Sequence, residues 1–391
     1  MSGNTPTQEL ATIVQESFHK HFGYSPSHVG FAPGRVNLIG EHTDYNDGFV
    51  LPAAIDKAVY VAARLRDDRT INLVSLDYEG SVSFSLDQLQ DHSLPAWSRY
   101  PRGVPFILSQ MGAPLRGMDL VVAGNVPRGG GFSSSAAIEV ALIEVITALL
   151  AMPLTQAQKA LLGVRVEHEF VGIPCGIMDQ MISAVGQVDH AILIDCRTQE
   201  TTPVPIPSGV SIITLDTGTR RELVEGEYGA RRRQCEEAAA ALGIKALRDI
   251  DPEGLIENLE KLPAPPQPHR MRALHAVHEN ARTLKAVEAL RQGDMDTMGK
   301  LMNLSHISLS DLYEVSIKEL DIMAYLAQRE PQCFGARMMG GGFGGAVIAL
   351  VEDSAAESFA ERVTRSYQRM TGRTPAAFVA KAGRGSGVIT L

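Results

Sequence analysis

Four ionisable side chains, Arg35, Glu41, His42 and Asp44, stand close together within residues 34–48, beside three glycines. Glycine allows a bound molecule to approach the backbone closely. Guanidinium and carboxylate groups form paired hydrogen bonds with phosphate oxygens or with neighbouring hydroxyls. This first glycine segment therefore indicates a site for a polyhydroxylated or phosphorylated ligand. The alternative is a polar surface hairpin, which would not require so many charges beside glycines.

A second glycine-rich stretch, residues 124–137, predicts a phosphate site and is called the phosphate loop. An apolar run at 119–123 before it predicts a strand, and apolar residues at 138, 142, 145 and 149 follow helical spacing. The free N–H groups and positive dipole end of a helix N-terminus attract anions. The alternative is a serine N-cap behind a flexible loop. The residues assigned to nucleotide binding here are Gly129, Gly130, Gly131, Phe132, Ser133, Ser134 and Ser135.

The third glycine segment, residues 339–351, contains a G-x-G-x-x-G match at 340, 342 and 345. A dinucleotide fingerprint must follow a strand and open a helix, whereas these glycines precede an apolar run at 347–351 that predicts a strand. A Rossmann site is therefore not expected, and no Walker-type loop occurs in the sequence. The segment is either a turn at a close-packed sheet or a lid or wall of the active site.

Composition agrees with a soluble enzyme. The chain has 391 residues, enough for two or three domains, and its net charge of −9 argues against a nucleic-acid surface. The arginines at 231–233 are most simply a solvated helix face. The four cysteines lack metal-binding spacing, which favours free thiols in a reducing cytoplasm. We expect no signal peptide, no membrane span and no obligate protein partner.

The elements that must position these residues predict a mixed α and β protein. Strands are predicted at 59–65, 71–76 and 210–215, and helices at 230–242 and 269–291. Thr155 and Gln158 form a capping box for a helix that runs to about Phe170. We place the domain boundary near Pro207, which divides the chain into residues 1–207 and 208–391.

The three glycine-containing segments, in this order, resemble those of the GHMP small-molecule kinases, and within that superfamily the galactokinase family. The family signature at 34–46 is intact, and residues 175–180 and 227–236 resemble its catalytic-aspartate and later sugar-contacting regions. The resemblance implies an α+β fold with an N-terminal ribosomal-S5-like domain, a C-terminal ferredoxin-like domain and the active site between them. The chain departs from the family pattern at Phe132, Leu312, Ile317 and Lys318, which puts local nucleotide packing and local C-terminal structure in question.

The resemblance implies that Asp179 accepts the proton of the sugar hydroxyl and that Arg35 is its partner. Phosphoryl transfer depends more on positioning and charge neutralisation than on covalent catalysis. A guanidinium beside a carboxylate weakens it as a base. Asp179 is therefore either a full general base or a group that orients the hydroxyl and accepts its proton late.

The resemblance also assigns binding roles to other residues. Ser135 and Glu167 resemble the family's Mg²⁺ ligands, which suits the preference of that ion for few carboxylates and several other oxygens. Ser75 either contacts ATP or packs at a strand edge, and Glu167 could instead face solvent on a helix. Because a carboxylate can accept two hydrogen bonds, Asp44 is suited to distinguish the stereochemistry of vicinal hydroxyls. The residues expected to bind the sugar are Glu41, His42, Thr43, Asp44 and Tyr228.

The implied reaction is the ATP- and Mg²⁺-dependent phosphorylation of the C1 hydroxyl of α-D-galactose to galactose 1-phosphate, a step of galactose catabolism by the Leloir pathway. One alternative is a relative that acts on another sugar, such as N-acetylgalactosamine or arabinose. Another is a catalytically silent sensor that binds the sugar and ATP. The intact Arg35, Asp179 and phosphate loop favour an enzyme over a sensor.

Overall fold

The computed structural model describes residues 6–78, 80–91, 93–220 and 224–391. Its first half contains a six-stranded sheet built from β1 (His28–Asn37), β3 (Pro52–Leu65), β4 (Thr70–Ser75), β5 (Gly80–Ser85), β6 (Met118–Gly124) and β13 (Gly387–Thr390). The strand order is β13, β1, β3, β6, β4, β5, and only the β4–β6 pair is parallel. A three-stranded sheet is formed by β2 (Phe49–Val50), β7 (His190–Asp195) and β8 (Thr201–Pro205).

Helices cover both faces of the six-stranded sheet. On one face α1 buries Val14 and Phe18 against Tyr60 and Val121. On the other face α3 is buried around most of its circumference, which explains why its sequence is apolar on nearly every side. The helices of this half are α1 (Pro6–Phe22), α2 (Arg99–Gln110), α3 (Ser134–Leu149), α4 (Gln156–Arg165) and α5 (Met178–Val185).

The second half is a four-stranded antiparallel sheet covered by helices. Its strands are β9 (Val210–Asp216), β10 (Cys333–Met338), β11 (Ala346–Glu352) and β12 (Ala376–Ala380), in the order β10, β11, β9, β12. Its helices are α6 (Val224–Leu242), α7 (Pro252–Glu257), α8 (His269–Gln292), α9 (Met295–Asp311), α10 (Lys318–Gln328) and α11 (Ala356–Thr371). Helices lie between the first and second strands and between the third and fourth, so the arrangement is ferredoxin-like. The α+β fold class is confirmed.

Most of the predicted elements are confirmed. The strands at 119–123, 210–215 and 347–351 lie within β6, β9 and β11, and the strands at 59–65 and 71–76 correspond to β3 and β4. The capping box of Thr155 and Gln158 begins α4, which ends at Arg165 and continues as a π-helical turn through Val171. Helix α6 begins at Val224, six residues before the predicted start at 230.

The boundary near Pro207 falls between β8 and β9 and stays a prediction. One strand lies across this domain boundary, because β13 comes from the second half of the chain and pairs with β1 in the first half. All four cysteines are free thiols. None of the helices in the described part of the chain is long and apolar enough to cross a membrane. The expectation about a signal peptide rests partly on residues 1–5, which lie outside the described residues.

Candidate active site

Arg35 and Asp179 form the centre of the candidate site. Nε and Nη2 of Arg35 donate to the two carboxylate oxygens of Asp179, at 2.8 and 2.9 Å. The remaining nitrogen, Nη1, donates to the carbonyl of Gly131, and the Ser133 hydroxyl donates to Oδ2 of Asp179. The partnership expected from the sequence is therefore formed, and it is tied directly to the phosphate loop.

A bulge in β1 places the Arg35 side chain. The register of β1 against β3 shifts between Pro33 and Arg35. No larger residue fits at position 34, because a Cβ there would lie 2.7 Å from the carbonyl oxygen of Phe132. The backbone N–H of Arg35 donates to that same carbonyl at 3.1 Å. Asp179 lies in the first turn of α5, where the positive end of the helix dipole favours a carboxylate.

A cavity of about 840 Å³ opens beside this pair and brings most of the predicted site residues together. Gly340 and Gly341 also line it, so the third glycine segment forms a wall of the cavity. This segment leads into β11 and not into a helix, as expected for a segment that is not a dinucleotide fingerprint. The predicted residues on the cavity wall are Arg35, Glu41, His42, Asp44, Ser135, Glu167, Asp179 and Tyr228.

Glu41 is held from behind by the second half of the chain. Its Oε1 accepts a hydrogen bond from the Gly340 N–H at 2.7 Å and lies 3.3 Å from Nη2 of the fully buried Arg337. Arg337 in turn donates through Nη1 to the carbonyl of Asn37 at 2.9 Å. Because the carboxylate is anchored by one oxygen, its orientation toward the cavity is fixed before any ligand arrives.

Asp44 lies in an unusual electrostatic environment. Burial, followed by the neighbouring charges of Asp179 and Glu41, raises the pKa of its carboxyl from 3.8 to about 7. A Cβ at Gly176 would lie only 1.9 Å from its Oδ2, so the segment before α5 packs directly on this carboxyl. The protonation state of Asp44 therefore responds to pH near neutrality.

His42 is surrounded by tyrosines from both halves of the chain. Its φ of 63° lies in the left-handed region, which is uncommon for a residue with a side chain. Its ring centroid is 5.8 Å from that of Tyr45, 5.6 Å from Tyr228 and 4.8 Å from Tyr313. Tyr228 belongs to α6, so the cavity wall is completed by the second half.

Thr43 is not among the cavity-lining residues. Its hydroxyl lies within hydrogen-bond distance of the carbonyl oxygens of Gly40 and Phe49, at 2.9 and 2.7 Å, and its side chain is buried. These bonds close the turn that carries Glu41, His42 and Asp44. The sugar-binding role expected of Thr43 stays a prediction, and the contacts present are those of a residue that shapes the loop.

A second cavity of about 610 Å³ meets the first at Ser135 and Tyr100, which line both. Ser75 and Ser134 also line it, and their contact with a nucleotide stays a prediction. The rings of Tyr78 and Trp97 stack on its wall, with centroids 6.0 Å apart and planes 11° apart. A flat aromatic wall beside a glycine-rich loop suits a purine nucleotide.

The other residues assigned to nucleotide binding, residues 129–133, lie outside the walls of both cavities. Gly129 and Gly131 have φ values of 74° and 82°, which their lack of a side chain permits. The Phe132 side chain is buried and packs against Phe378, with centroids 5.3 Å apart. The departure at Phe132 therefore enlarges the packed core behind the loop, and its nucleotide-binding role stays a prediction.

Glu167 and Ser135 suit a magnesium ion. Oε2 of Glu167 is buried without a hydrogen-bond partner, and burial raises the pKa of this carboxyl to about 7, against the opposing effect of a hydrogen bond from Ser135. A buried carboxylate oxygen beside a hydroxyl and a phosphate cavity matches the oxygen ligands that Mg²⁺ prefers. Across the described ranges, no group of three or more histidine, cysteine or acidic side chains is arranged to hold a metal.

Several wall residues were not predicted from the sequence. Tyr100, Trp97 and Cys175 line the cavities, and Arg337 holds Glu41. Tyr100, Trp97 and Arg337 lie outside the glycine-rich segments and carry no local pattern, so only the folded arrangement brings them to the site. Cys175 lies in the segment at 175–180, but no site role was assigned to it. Trp97 is the only tryptophan of the chain, and its rarity is the only compositional feature that could have pointed to a site residue here.

The other departures from the family pattern lie in regular structure. Helix α9 ends at Asp311, and the carbonyl of Leu312, the residue that follows it, accepts a hydrogen bond from Arg272. Helix α10 begins at Lys318, directly after the extended residue Ile317. Neither Leu312 nor Lys318 lines either cavity.

Family models identify the class of protein that this fold and site define. Residues 102–187 match the GHMP kinases N terminal domain, and residues 286–369 match the GHMP kinases C terminal model. Residues 16–65 match the galactokinase galactose-binding signature. The two structural halves are therefore those of a GHMP kinase.

Sequence comparison narrows the class to one family. The chain is 47% identical over 382 residues to galactokinase of Chloroflexus aggregans, covering 96% of this chain and 97% of that one. It is 44% identical over 379 residues to galactokinase of a Roseiflexus species, covering 96% of both. The chain belongs to the galactokinase family.

Solved structures agree with this assignment. The structure of Lactococcus lactis galactokinase complexed with galactose matches 98% of this chain and 100% of its own, with a TM-score of 0.93 and 34% identity. Mevalonate kinase of Methanococcus jannaschii matches with a TM-score of 0.64 at 18% identity, which shows a shared fold alone.

Proposed function

We propose that the protein transfers the γ-phosphoryl group of ATP to the C1 hydroxyl of α-D-galactose, giving galactose 1-phosphate and ADP. The observation that carries the proposal is the Arg35–Asp179 pair on the wall of a polar cavity, beside a second cavity that begins at Ser135. Membership of the galactokinase family supports the choice of sugar and of ATP. The enzyme would act in the cytoplasm, in galactose catabolism.

Asp179 takes the proton of the C1 hydroxyl while the oxygen of that hydroxyl forms its bond to the γ-phosphorus. The bond between the γ-phosphorus and the bridging oxygen breaks, and ADP leaves with the electron pair. Arg35 holds the carboxylate through two hydrogen bonds and places its positive charge beside the phosphoryl group. Arg35 also donates to the Gly131 carbonyl, so the same side chain contacts the base and the phosphate loop.

Sugar recognition belongs to the first glycine segment and α6. Asp44 and Glu41 accept hydrogen bonds from ring hydroxyls, and His42 and Tyr228 complete the wall. Galactose and glucose differ in the orientation of the C4 hydroxyl. A short, half-buried carboxylate such as Asp44 penalises the wrong orientation, because one of its oxygens would be left without a partner.

The second cavity takes the nucleotide base against the wall that carries Tyr78, Trp97 and Ser75, with the phosphates toward Ser134 and Ser135. Ser135 and Glu167 would hold a magnesium ion, which would supply positive charge to neutralise the phosphates of ATP. Ser135 lines both cavities and therefore stands where the phosphoryl group must cross from nucleotide to sugar.

A sugar panel with ATP and Mg²⁺, scored for ADP release and product identity, tests the proposal. Galactose should be turned over fastest, and the product should carry phosphate on C1. The Asp179→Asn variant, purified in parallel, serves as the control for contaminating kinases. Turnover of another sugar with galactose ignored would refute the assignment, and tight galactose binding without turnover would indicate a sensor.

A further inference from the structure

One face of helix α8 holds the backbone of the first glycine segment. The ring nitrogen Nε2 of His275 lies 3.1 Å from the carbonyl oxygen of Glu41, and Oε1 of Glu279 accepts a hydrogen bond from the Gly40 N–H at 3.0 Å. Because His275 and Glu279 are four positions apart, their side chains project from the same side of the helix. The two contacts bracket Gly40 and Glu41, so the second half of the chain fixes the backbone on either side of the Glu41 side chain.

The hydrogen bond between His275 and Glu41 has only one possible direction. A carbonyl oxygen can only accept, so Nε2 of His275 carries a proton and donates it. The other ring nitrogen, Nδ1, lies 2.8 Å from the hydroxyl of Ser308 on α9. Burial lowers the pKa of His275 from 6.5 to about 4, so the ring is neutral at working pH and Nδ1 accepts from that hydroxyl. Both polar atoms of this fully buried ring are therefore paired within the protein.

Residues of the second half hold these two side chains of α8 in place. The ring centroid of His275 lies 4.3 Å from that of Tyr313. The carboxylate of the fully buried Glu279 accepts a hydrogen bond from the Ser305 hydroxyl at 2.6 Å and another from Nε of Arg282 at 2.8 Å. The donor that meets the Glu41 carbonyl and the acceptor that meets the Gly40 N–H are thus placed by packed helices and not by the cavity.

The carbonyl that His275 holds belongs to the peptide group between Glu41 and His42. The φ of His42 is 63°, in the left-handed region that costs free energy for a residue with a side chain. A return of His42 to an ordinary negative φ would rotate this peptide group and take its oxygen away from His275. The buried hydrogen bond therefore stabilises a backbone conformation that the segment would otherwise avoid.

We propose that His275 is a positioning residue for sugar recognition: by holding the peptide group that follows Glu41, it keeps the Glu41 carboxylate on the wall of the first cavity. This inference rests on the proposed function, in which Glu41 contacts galactose. The carboxylate itself accepts a hydrogen bond from the Gly340 N–H at 2.7 Å, so the side chain and the backbone of Glu41 are anchored separately. His275 lines neither cavity, so it acts on the sugar only through the segment that it holds.

Two substitutions of His275 separate its two hydrogen bonds. The amide nitrogen of glutamine reaches the position of Nε2, so His275→Gln still donates to the Glu41 carbonyl. The shorter amide of asparagine reaches only the position of Nδ1, so His275→Asn keeps a partner for Ser308 and loses the donor to Glu41. His275→Asn should raise KM for galactose about tenfold, with kcat and KM for ATP changed by less than about twofold. His275→Gln should bring KM for galactose back to within about threefold of the wild type.

Asn280→Ala is the matched control on the same helix. Oδ1 of Asn280 accepts a hydrogen bond from the N–H of Phe49, which directly follows the first glycine segment and lines neither cavity. Loss of this bond loosens the far end of the segment and leaves the Glu41 peptide group held, so KM for galactose should change by less than about twofold. An equal rise of this KM in His275→Asn and Asn280→Ala would overturn the proposal. So would a His275→Asn enzyme in which both KM values rise equally, since that pattern indicates a general structural change.

Ser308→Ala is a milder variant that keeps the proposal testable if His275→Asn does not fold. It removes the donor to Nδ1 and leaves the imidazole in place, so the ring is oriented less strictly toward the Glu41 carbonyl. KM for galactose should rise about twofold to threefold, and KM for ATP should stay unchanged. The double variant Ser308→Ala/His275→Asn should bind galactose no more weakly than His275→Asn alone, because Ser308 acts only through His275. Fully additive effects would overturn the proposal.

Hydrogen exchange of the sugar-free protein measures the positioning without any turnover. The backbone amides of residues 40–48 should exchange about tenfold faster in His275→Asn than in the wild type, whereas His275→Gln should resemble the wild type. Equal exchange in all three proteins would overturn the proposal. A wild type that ignores galactose but shows this pattern of exchange would refute the proposed function and support the positioning of the segment by His275.

Discussion

Arg35 and Asp179 are joined by two parallel hydrogen bonds of 2.8 and 2.9 Å, although 144 residues separate them in the chain. With the bond from Ser133, the carboxylate already accepts three hydrogen bonds. An ionised carboxylate offers about four lone-pair sites, so roughly one remains, on Oδ1. The sugar hydroxyl must therefore approach Oδ1, and this restricts the direction from which its oxygen can attack phosphorus.

Removal of the proton acceptor should abolish most of the turnover. General-base roles contribute about 10²- to 10⁴-fold, so kcat of Asp179→Asn should fall by that amount while galactose affinity, measured by calorimetry, changes little. The effect of Arg35→Ala should not add to it if the pair acts as a unit. Asp353→Asn is the control, because Asp353 accepts a hydrogen bond from the Ser211 hydroxyl and lines neither cavity. Near-normal kcat in Asp179→Asn would remove this residue from the mechanism.

Asp44 should determine the preference for galactose over glucose. A site that pairs a buried hydroxyl can reject the wrong isomer by about 10⁴-fold. Asp44→Ala should raise KM for galactose strongly, leave KM for ATP nearly unchanged and reduce the ratio of kcat/KM between the two sugars. A melting curve controls for folding. Unaltered sugar selectivity in a well-folded variant would contradict this role.

The raised pKa of Asp44 also predicts a pH-dependent stability. The folded sugar-free protein keeps this proton up to about pH 7, whereas the ordinary pKa is 3.8. Asp44 therefore contributes stability that is full below pH 3.8 and is lost as pH rises through 7. Asp44→Asn, which cannot ionise, should gain Tm relative to the wild type between pH 5 and pH 8.

Asp68→Asn is the matched control for that comparison. A hydrogen bond from Arg66 lowers the pKa of the exposed Asp68 to about 2, so its contribution is lost only as pH falls toward that value. The Tm difference between Asp68→Asn and the wild type should stay constant from pH 5 to pH 8. A constant difference for Asp44→Asn as well would show that Asp44 titrates normally.

Glu167 should control the magnesium requirement. Glu167→Gln removes the charge of the only acidic side chain assigned to the ion, so the Mg²⁺ concentration for half-maximal rate should rise by about tenfold or more. Glu169→Gln is the control, because Glu169 is exposed and pairs with Arg165 at 2.6 Å. Equal Mg²⁺ dependence in both variants would exclude Glu167 as a ligand.

Trp97 should report on the nucleotide alone. It is the only tryptophan of the chain and stacks with Tyr78 on the wall of the second cavity. Titration with ADP should change its fluorescence emission, and galactose should change it much less. The Trp97→Phe variant should lose the signal. A response to galactose without a response to ADP would place the nucleotide elsewhere.

Local structure could be predicted wherever one short segment contains the whole signal. Thr155 and Gln158 make both bonds of the predicted capping box, at 2.8 and 3.2 Å. The predicted start of α6 was too late. Glycines at 226 and 229 lower the helix propensity of this stretch, but tertiary packing overrides that preference and the helix begins at Val224.

The site was predictable only in part, because only some of its residues lie in a short segment that carries its own signal. Arg35, Asp44 and Asp179 lie in segments whose residue types indicate chemistry. Tyr100 and Arg337 reach the site from α2 and β10, and no local pattern shows that Arg337 will meet Glu41. A residue's place in a motif does not fix where its side chain points: Thr43 lies in the sugar-binding signature, yet its hydroxyl points to backbone carbonyls.

The pairing of β13 with β1 has a consequence for biosynthesis. Strand β1 carries Arg35 and pairs on one side with β3, while residues 387–390 occupy its other side. A ribosome makes β13 long after β1, so a nascent chain exposes an unpaired edge of β1 until β13 emerges. Unpaired edges template aggregation. Removing residues 387–390 should therefore lower the soluble yield of newly made protein more than it lowers the activity of the molecules that fold.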